Sequence, residues 1–492
     1  MPTPAVSWPS GRRGSAVCRR MDRGDLFVES VLGDPLPQLI RSTRGWPRHG
    51  VLDPAAVNVL EWPGTATPTR RGTRMKFGLM YELQIPKPWD EDSEYRIIQE
   101  ATEQVILGDK IGLDHAWSVE HHFLEEYSHC SASEVFLASL AAKTQNIRIG
   151  FGIRQVIPGY NHPSRSAEAV AMLDLVSNGR AEFGIGEGAT RLELRGYNID
   201  ARHKQELSLE AAEQIANMMV MQPYPGFQGV GFSMPCRNVI PKPRQKPHPP
   251  MWMACTSRRT IETAARNGLG ALAFSFLDPE EARRWADLYY SIIKSEQCVP
   301  IGHAVNANIA MVSGFSIHDD PAEAQRRGID GFQFFRYAVN ALVANETRPG
   351  RSRLWEEYEE LRGPDLPMLT APGIGTPANY RTLVSEFQDA GVDQVIFLQQ
   401  GGKNRHEDIC ESLELFGNEV LPHFQVDKAE RLARKEEELA PFIAAAMARK
   451  QYMKPLADDE IPIVPPSRER ESFYRRTEEE GPAAEAYVSP VG

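Results

Sequence analysis

The chain has 492 residues, 41% hydrophobic and 25% charged, a balance that suits a globular protein with a large core. Its net charge of −11 argues against nucleic acid or an anionic membrane surface as the main partner. No apolar run approaches the roughly 18 residues of a membrane span, no apolar stretch marks a secretory signal, and six scattered cysteines (Cys18, Cys130, Cys236, Cys255, Cys298, Cys410) read as free thiols in a reducing cytoplasm.

Residues 1–74 contain eleven Arg, no Lys, much Pro and Gly, and no sustained periodicity. Such a segment buries too little apolar surface to offset the entropy of ordering, so a disordered extension is expected. Within it only Leu26 to Leu32 is apolar enough for a helical turn, and Met75 stands directly before the first clear strand.

From Met75 a strand–helix rhythm begins. Met75 to Tyr81 alternates as a strand does, and Ser93 to Leu107 is helical, with Ile97, Ala101 and Val105 at four-residue spacing. The second strand is Leu113 to Val119. Ser131 and Glu134 have capping-box spacing before the apolar helix Val135 to Ala142. Ile147 to Ile153 is the third strand, Pro163 opens a helix through Leu175, Arg180 to Gly186 is the fourth strand, and Lys204 to Met221 is a helix. Residues 222–250 break the rhythm with eight prolines; a helix does not survive there, but a hairpin or an irregular excursion does. Strands resume at Met251 to Ala254, Leu269 to Phe274, Ala304 to Val312 and Gln394 to Leu398. The helices between them start at Ser257, Asp278-Pro279, Asp320-Pro321 and Thr376-Pro377, and Glu407 to Phe416 follows the last strand. Residues 345–375 form a second interruption. A charged helix, Asp427 to Lys450, reads as a solvated appendage before a polar tail.

Eight strands alternating with helices predict an α/β fold with a parallel sheet. The count suits a closed (β/α)8 TIM barrel with insertions over 75–426, between the extension 1–74 and the helix and tail 427–492. An open doubly wound sheet is the alternative. Its glycine-rich turn after the first strand is missing, since that turn reads Tyr81-Glu82-Leu83-Gln84-Ile85-Pro86.

Ligands of such a barrel meet the C-terminal ends of its strands, and Trp117 to Phe123 ends the second one with Glu120, His121 and His122. Side chains of a strand alternate, so both imidazoles cannot enter one pocket from regular strand geometry; if the strand turns at Glu120, one reaches the mouth and the other braces it. A metal site with His129 and Cys130 is disfavoured, because no His-x-His or His-x3-His spacing holds the ligands on one face. After the fifth strand, Cys255 to Thr260 sets hydroxyls and two arginines at a helix start, suited either to an anion or to capping by Ser257. Phe183-Gly184-Ile185-Gly186-Glu187-Gly188 after the fourth strand admits a flat ring or a phosphate, or simply packs tightly. Gln399 to Lys403 is a turn, or a pocket wall beside a large cofactor.

In combination these segments resemble the bacterial luciferase-like flavin-dependent monooxygenases over Met75 to Phe424. The carriers are Met75-Lys76-Phe77-Gly78, Glu120-His121-His122-Phe123, His162-Pro163 with Arg165, Ser177-Asn178-Gly179-Arg180 into Phe183-Gly184-Ile185-Gly186, Pro250-Met251-Trp252 through Thr260, and Ala390-Gly391-Val392-Asp393-Gln394. The resemblance implies an enzyme that uses reduced FMN, supplied by a separate flavin reductase, with O2 and a small-molecule substrate, often as a homodimer. It implies His121 near the reacting edge of the flavin with Glu120 and His122 as catalytic neighbours. It places the cofactor at Met80, Gly152, Gly186, Glu187, Thr256, Ser257 and Thr260, the three hydroxyls at the phosphate. Several relatives carry Arg where this chain has Glu187, so a cation from Arg191, Arg258 or Arg259 is needed to offset that carboxylate. A deazaflavin coenzyme serving an oxidoreductase on the same barrel, and a non-catalytic barrel subunit, are the alternatives.

Overall fold

The computed structural model describes residues 75–362, 371–426 and 428–465. The expected disordered extension, its helical turn at Leu26 to Leu32, and most of the polar tail lie outside these residues.

Eight parallel strands close into a barrel: β1 (Lys76–Tyr81), β2 (His115–Ser118), β3 (Arg148–Gln155), β4 (Ala181–Gly186), β5 (Met251–Cys255), β6 (Gly270–Ala273), β7 (Ile309–Gly314) and β8 (Gln394–Leu398). Spatial order follows chain order, and β1 closes the ring by pairing Lys76 with Gln394 of β8 and Gly78 with His115 of β2. The strands are short and apolar because both faces are covered, one by helices and the other by the barrel interior. Met80, Trp117, Trp252, Leu272, Val312 and Ile396 fill that interior. Trp117 and Trp252 meet edge to face at 5.5 Å. Their size explains Gly150, where a Cβ would come within 2.3 Å of the Trp117 ring.

The N-terminal end of the barrel is plugged by polar contacts. Glu182 accepts a hydrogen bond from Trp252 Nε1 at 2.7 Å and pairs with Arg148. Burial raises the Glu182 pKa, but Arg148 and His115 outweigh burial and bring it down to about 2. A ligand of such a barrel is expected at the opposite, C-terminal end.

Several helix starts follow their sequence signals. Asp278, Asp320 and Thr376 each cap through a side-chain oxygen, with Pro at the first helical positions. The Ser131/Glu134 capping box does not form. That helix (Ser133–Lys143) starts behind Ala132 without a side-chain cap, and Glu134 instead pairs with Arg154 at 3.2 Å. Arg154 is 2% exposed, and a buried guanidinium demands a carboxylate more strongly than a helix end does.

Residues 222–250 contain the expected hairpin, Tyr224–Gln228 against Ser233–Arg237. The second interruption holds a helix, Leu354–Arg362, and a strand, Ile374–Gly375, paired with Ser316–Ile317. Glu126, fully buried, anchors that helix: its carboxylate accepts the backbone N–H groups of Leu354 (2.8 Å) and Trp355 (3.1 Å).

The charged helix Lys428–Arg449 is not a solvated appendage. Lys435 donates to Asp393 Oδ1 (2.6 Å) and Asn308 Oδ1 (3.0 Å), and Lys428 to Asp114 Oδ1 (3.2 Å). Each partner immediately precedes a barrel strand, so the helix crosses the N-terminal face with Leu439 and Ala446 buried. Its charge pattern looked solvent-facing because the acceptors that bind it lie far away in sequence. Among the described residues no helix is long and apolar enough to cross a membrane.

Candidate active site

A cavity opens where β1 to β6 end. It holds about 220 Å³, against the ~10–15 Å³ that one water needs, so it is a ligand site rather than a packing defect. Its polar lining includes Glu82, His121, Glu187, Lys204, Thr256 and Thr260, and its apolar lining includes Leu124, Ile153, Phe274, Phe335, Val339 and Leu342.

His121 reaches this cavity because the chain leaves strand geometry after Ser118. Its imidazole lies between two carboxylates. Nδ1 donates to Glu193 Oε1 at 2.8 Å, and Nε2 stands 3.7 Å from Glu82 Oε2. Burial lowers the pKa of the ring, but Glu193 and Glu82 overcome burial and raise it to about 9, so His121 is an imidazolium at neutral pH. Burial likewise opposes ionisation of Glu193; His121, the Thr190 hydroxyl and the His122 N–H outweigh it and hold the carboxyl below its usual range. Glu82 is raised to about 7, chiefly by burial and against the pull of His121 and of the Tyr127 O–H that donates to it at 3.1 Å.

Glu120 and His122 turn away from the cavity. His122 Nε2 meets Glu120 Oε1 at 3.2 Å, its Nδ1 meets the Tyr197 hydroxyl at 3.1 Å, and Glu120 also accepts from Asn161 Nδ2 at 2.8 Å. They brace the His121 loop and are not among the residues that line the cavity.

Glu193, which controls His121, went unread in the sequence. It lies on a short helix, Arg191–Gly196, in the β4 connection. Thr190-x-x-Glu193 has the capping-box spacing that announces such a helix, and Thr190 does cap it. Glu82 and Tyr127 have no local signature; the fold alone brings them to His121.

The helix start after β5 is largely self-satisfied. Thr260 Oγ1 accepts the N–H groups of Thr256 and Ser257, both at 3.0 Å, and Ser257 Oγ accepts from the Thr260 N–H at 3.3 Å. Thr256 and Thr260 line the cavity; Ser257 is the helix cap. The expected arginines face elsewhere, Arg258 to Glu281 and Arg259 to Gln205. The cation beside Glu187 is Lys204, 3.1 Å away, and both groups line the cavity. Lys204 starts the helix after the unread turn, which hid this pairing.

Gly152 and Gly186 line the cavity, yet packing already requires glycine at 186: a Cβ there would come within 2.1 Å of Ile153 Cδ1. Met80 belongs to the barrel interior. Gln399 and Gln400 tie β8 to the β1 end, through Met80 O (3.2 Å) and Gln84 O (2.9 Å). Neither interruption, 222–250 nor 345–375, contributes a described residue to the wall; the helix Pro321–Ala344 does so instead. His129 pairs with Glu94 and Cys130 with Ser118. Among the described residues no three His, Cys, Asp or Glu side chains group to hold a metal.

A cavity lined from strand ends at the C-terminal mouth of a closed parallel barrel, with a carboxylate-clamped imidazolium in its wall, defines a TIM-barrel enzyme. The luciferase-like monooxygenase family matches residues 75–394, and the chain belongs to it. It is 25% identical over 369 residues to the oxygenase component of flavin-dependent trigonelline monooxygenase from Acinetobacter baylyi, covering 73% of this chain and 98% of that protein. Its fold is similar to the oxygenating constituent of 3,6-diketocamphane monooxygenase of Pseudomonas putida in complex with FMN (TM-score 0.55, 16% identity, 71% of this chain and 98% of the other). It is also similar to an F420-dependent secondary alcohol dehydrogenase in complex with an F420-acetone adduct (TM-score 0.53, 16% identity, 70% and 98%). The chain is thus an oxidoreductase of the luciferase-like family.

Proposed function

We propose that this enzyme is a flavin-dependent monooxygenase that takes reduced FMN and O2 and oxidises a small organic substrate with an apolar body. One observation carries the reading. Three buried oxygens in the cavity wall, Glu82 Oε2, Gln155 Oε1 and Glu187 Oε2, have no hydrogen-bond donor. Buried acceptors without donors are costly, and a reduced flavin offers the ring N–H and ribityl O–H groups that they lack. When bound, the flavin supplies electrons and oxygen chemistry. The protein contributes the His121 imidazolium beside the cavity, held in one orientation by Glu193, and an apolar wall that keeps water out. Thr256 and Lys204 would hold the cofactor phosphate, while Thr260, whose hydroxyl donates to Ser257 O at 2.8 Å, orders the loop around them.

The name of the Acinetobacter relative, an oxygenase component, supports a separate reductase as the source of reduced flavin. A homodimer belongs to the same reading. Val135, Met172, Leu175 and Val176, each more than 40% exposed, offer apolar surface on two adjoining helices, Ser133–Lys143 and Pro163–Val176.

The deazaflavin alternative, carbonyl reduction without oxygen, is favoured by one feature: a protonated His121 is a ready proton donor to a carbonyl oxygen. Binding of FMN and of the deazaflavin to the purified chain, followed by flavin fluorescence, decides between them. The monooxygenase reading expects tighter FMN binding and oxygen uptake with reduced FMN; deazaflavin binding without oxygen uptake overturns it.

Lys204 is paired with Glu187 at 3.1 Å, and this has a measurable consequence. In Glu187→Gln the Lys204 cation is released toward a ligand phosphate, and FMN is expected to bind about tenfold more tightly. Riboflavin, which lacks the phosphate, should bind unchanged. Equal gains for both ligands would remove Lys204 from the phosphate end.

A further inference from the structure

Glu82 follows β1 and lines the cavity, with 3% of its surface exposed. Three contacts fix it. The Ser128 hydroxyl donates to its backbone carbonyl at 2.7 Å, the Tyr127 hydroxyl donates to its Oε1 at 3.1 Å, and Nε2 of His121 stands 3.7 Å from its Oε2. That last distance suits an ion pair but is too long for a hydrogen bond. Among the described residues Oε2 therefore has no donor. A buried carboxylate oxygen in this position is costly unless a ligand supplies one.

The surrounding contacts show which part of the cavity this oxygen serves. The Tyr127 ring packs on His121, with 5.6 Å between ring centroids, and on Phe335, at 5.5 Å, and all three residues line the cavity. Glu82 and His121 thus stand against the apolar lining that the helix Pro321–Ala344 supplies through Phe335, Val339 and Leu342. An apolar body seated there brings its polar group to Glu82 Oε2. Charge decides what that group is. His121 lies between Glu82 and Glu193, one imidazolium between two carboxylates. A substrate anion would meet both carboxylates, and an ammonium would meet the imidazolium. A neutral O–H avoids both conflicts. When its proton moves to Oε2, the negative charge passes from the carboxylate to the substrate oxygen and stays beside His121.

We propose that Glu82 is the base that takes the proton from a phenolic O–H, so that the substrates of this enzyme are phenols with an apolar body. The step balances: the substrate O–H bond breaks, a carboxyl O–H bond forms at Oε2, and the electron pair stays on the substrate oxygen. The ring gains the electron density that favours its oxidation. Acidity selects a phenol over an aliphatic alcohol. Burial raises Glu82 to about 7, and a phenol, with a pKa of ~10 like that of tyrosine, comes within its reach once a neighbouring cation stabilises the phenolate. This inference rests on the cavity being the substrate site of the proposed oxidoreductase. It leaves Gln155 Oε1 and Glu187 Oε2 to the cofactor, whichever flavin that is.

A matched pair of probes tests it: 2-naphthol and 2-methoxynaphthalene, which share one ring system and differ in the acidic proton. At pH 8 Glu82 is ionised and His121 protonated, since their pKa values are about 7 and about 9, while free naphthol is neutral. The purified enzyme is titrated by absorption, and by calorimetry in two buffers of different protonation enthalpy. Naphthol is expected to bind at least about tenfold more tightly than its methyl ether, the range of one charge-assisted hydrogen bond. It should bind with the absorption band of naphtholate and release no proton to the buffer. Glu82→Gln keeps an acceptor for Tyr127 and the side-chain volume. It should weaken naphthol binding about tenfold, leave the ether unchanged, and abolish the naphtholate band. Equal affinities in the parent enzyme, no binding of naphthol, a missing naphtholate band, a proton released to the buffer, or a Glu82→Gln variant that behaves as the parent each overturns the assignment. FMN and deazaflavin titrations on the same samples keep the two readings apart. Flavin binding without proton transfer removes Glu82 alone; proton transfer without flavin binding removes the cofactor and leaves Glu82 in place.

Discussion

Replacing His121 with glutamine is expected to lower the yield of oxidised product per reduced flavin roughly tenfold, because the charge is lost from a donor aimed at developing negative charge while a neutral donor remains. Oxygen is still consumed, but it leaves as hydrogen peroxide. Glutamine keeps a neutral N–H donor and most of the side-chain volume, so Glu193 and Glu82 lose the cation without leaving a void. Flavin affinity is expected to change by less than about threefold, because the groups proposed for the phosphate, Thr256 and Lys204, are untouched. Product and peroxide are measured together, with any substrate that supports turnover by the parent enzyme. An unchanged product yield would take His121 out of the chemistry.

Glu193→Ala has the largest expected effect on stability, roughly 3–5 kcal/mol, because it strands a buried imidazolium that had a carboxylate at 2.8 Å. The Thr190 and His122 contacts go with it. Glu193→Gln separates charge from hydrogen bonding. Its amide oxygen still accepts from the His122 N–H, while the negative charge is gone. The pH dependence identifies the cause. In the folded chain the His121 pKa is about 9, above the ~6.5 of an unfolded histidine. A raised folded pKa contributes stability that is complete below pH ~6.5 and lost as pH rises toward 9. The parent chain should therefore lose stability across that window, and Glu193→Gln should flatten the loss. Denaturant midpoints at pH 6 and pH 9 report it; identical slopes in the two proteins would show that Glu193 does not hold the proton on His121.

Much of this site was open to reading from the chain. Regular strand geometry allows only one of His121 and His122 into a pocket, and the chain, having left the strand after Ser118, sends His121 there; Gly186, Thr256 and Thr260 fall on the wall, whereas Ser257 caps its helix. What stayed hidden were partners far apart in sequence. Glu82 ends β1, Glu193 lies 72 residues beyond His121, and Lys204 replaces the three arginines that seemed better placed to offset Glu187. The helix Pro321–Ala344 was legible as a helix, but its apolar face gave no sign of facing a ligand rather than the core. A face buried against a cavity has the same periodicity as one buried against a neighbouring helix. The helix Lys428–Arg449 was misread for the mirror-image reason, since lysines that neutralise strand-end acceptors look like lysines in water.

Glu126 fixes the helix Leu354–Arg362 to the same loop that presents His121, five residues away. An exchange of residues 345–375 for a shorter connection from a relative would look harmless, because none of those described lies in the cavity wall. It would also remove the Ser352, Leu354 and Trp355 donors to Glu126, leaving the Lys87 N–H, and with them the tether between that helix and the His121 loop. Loop grafting aimed at new selectivity would then detune the imidazole first, unless Glu126 is given new donors or converted to an uncharged residue in the same step.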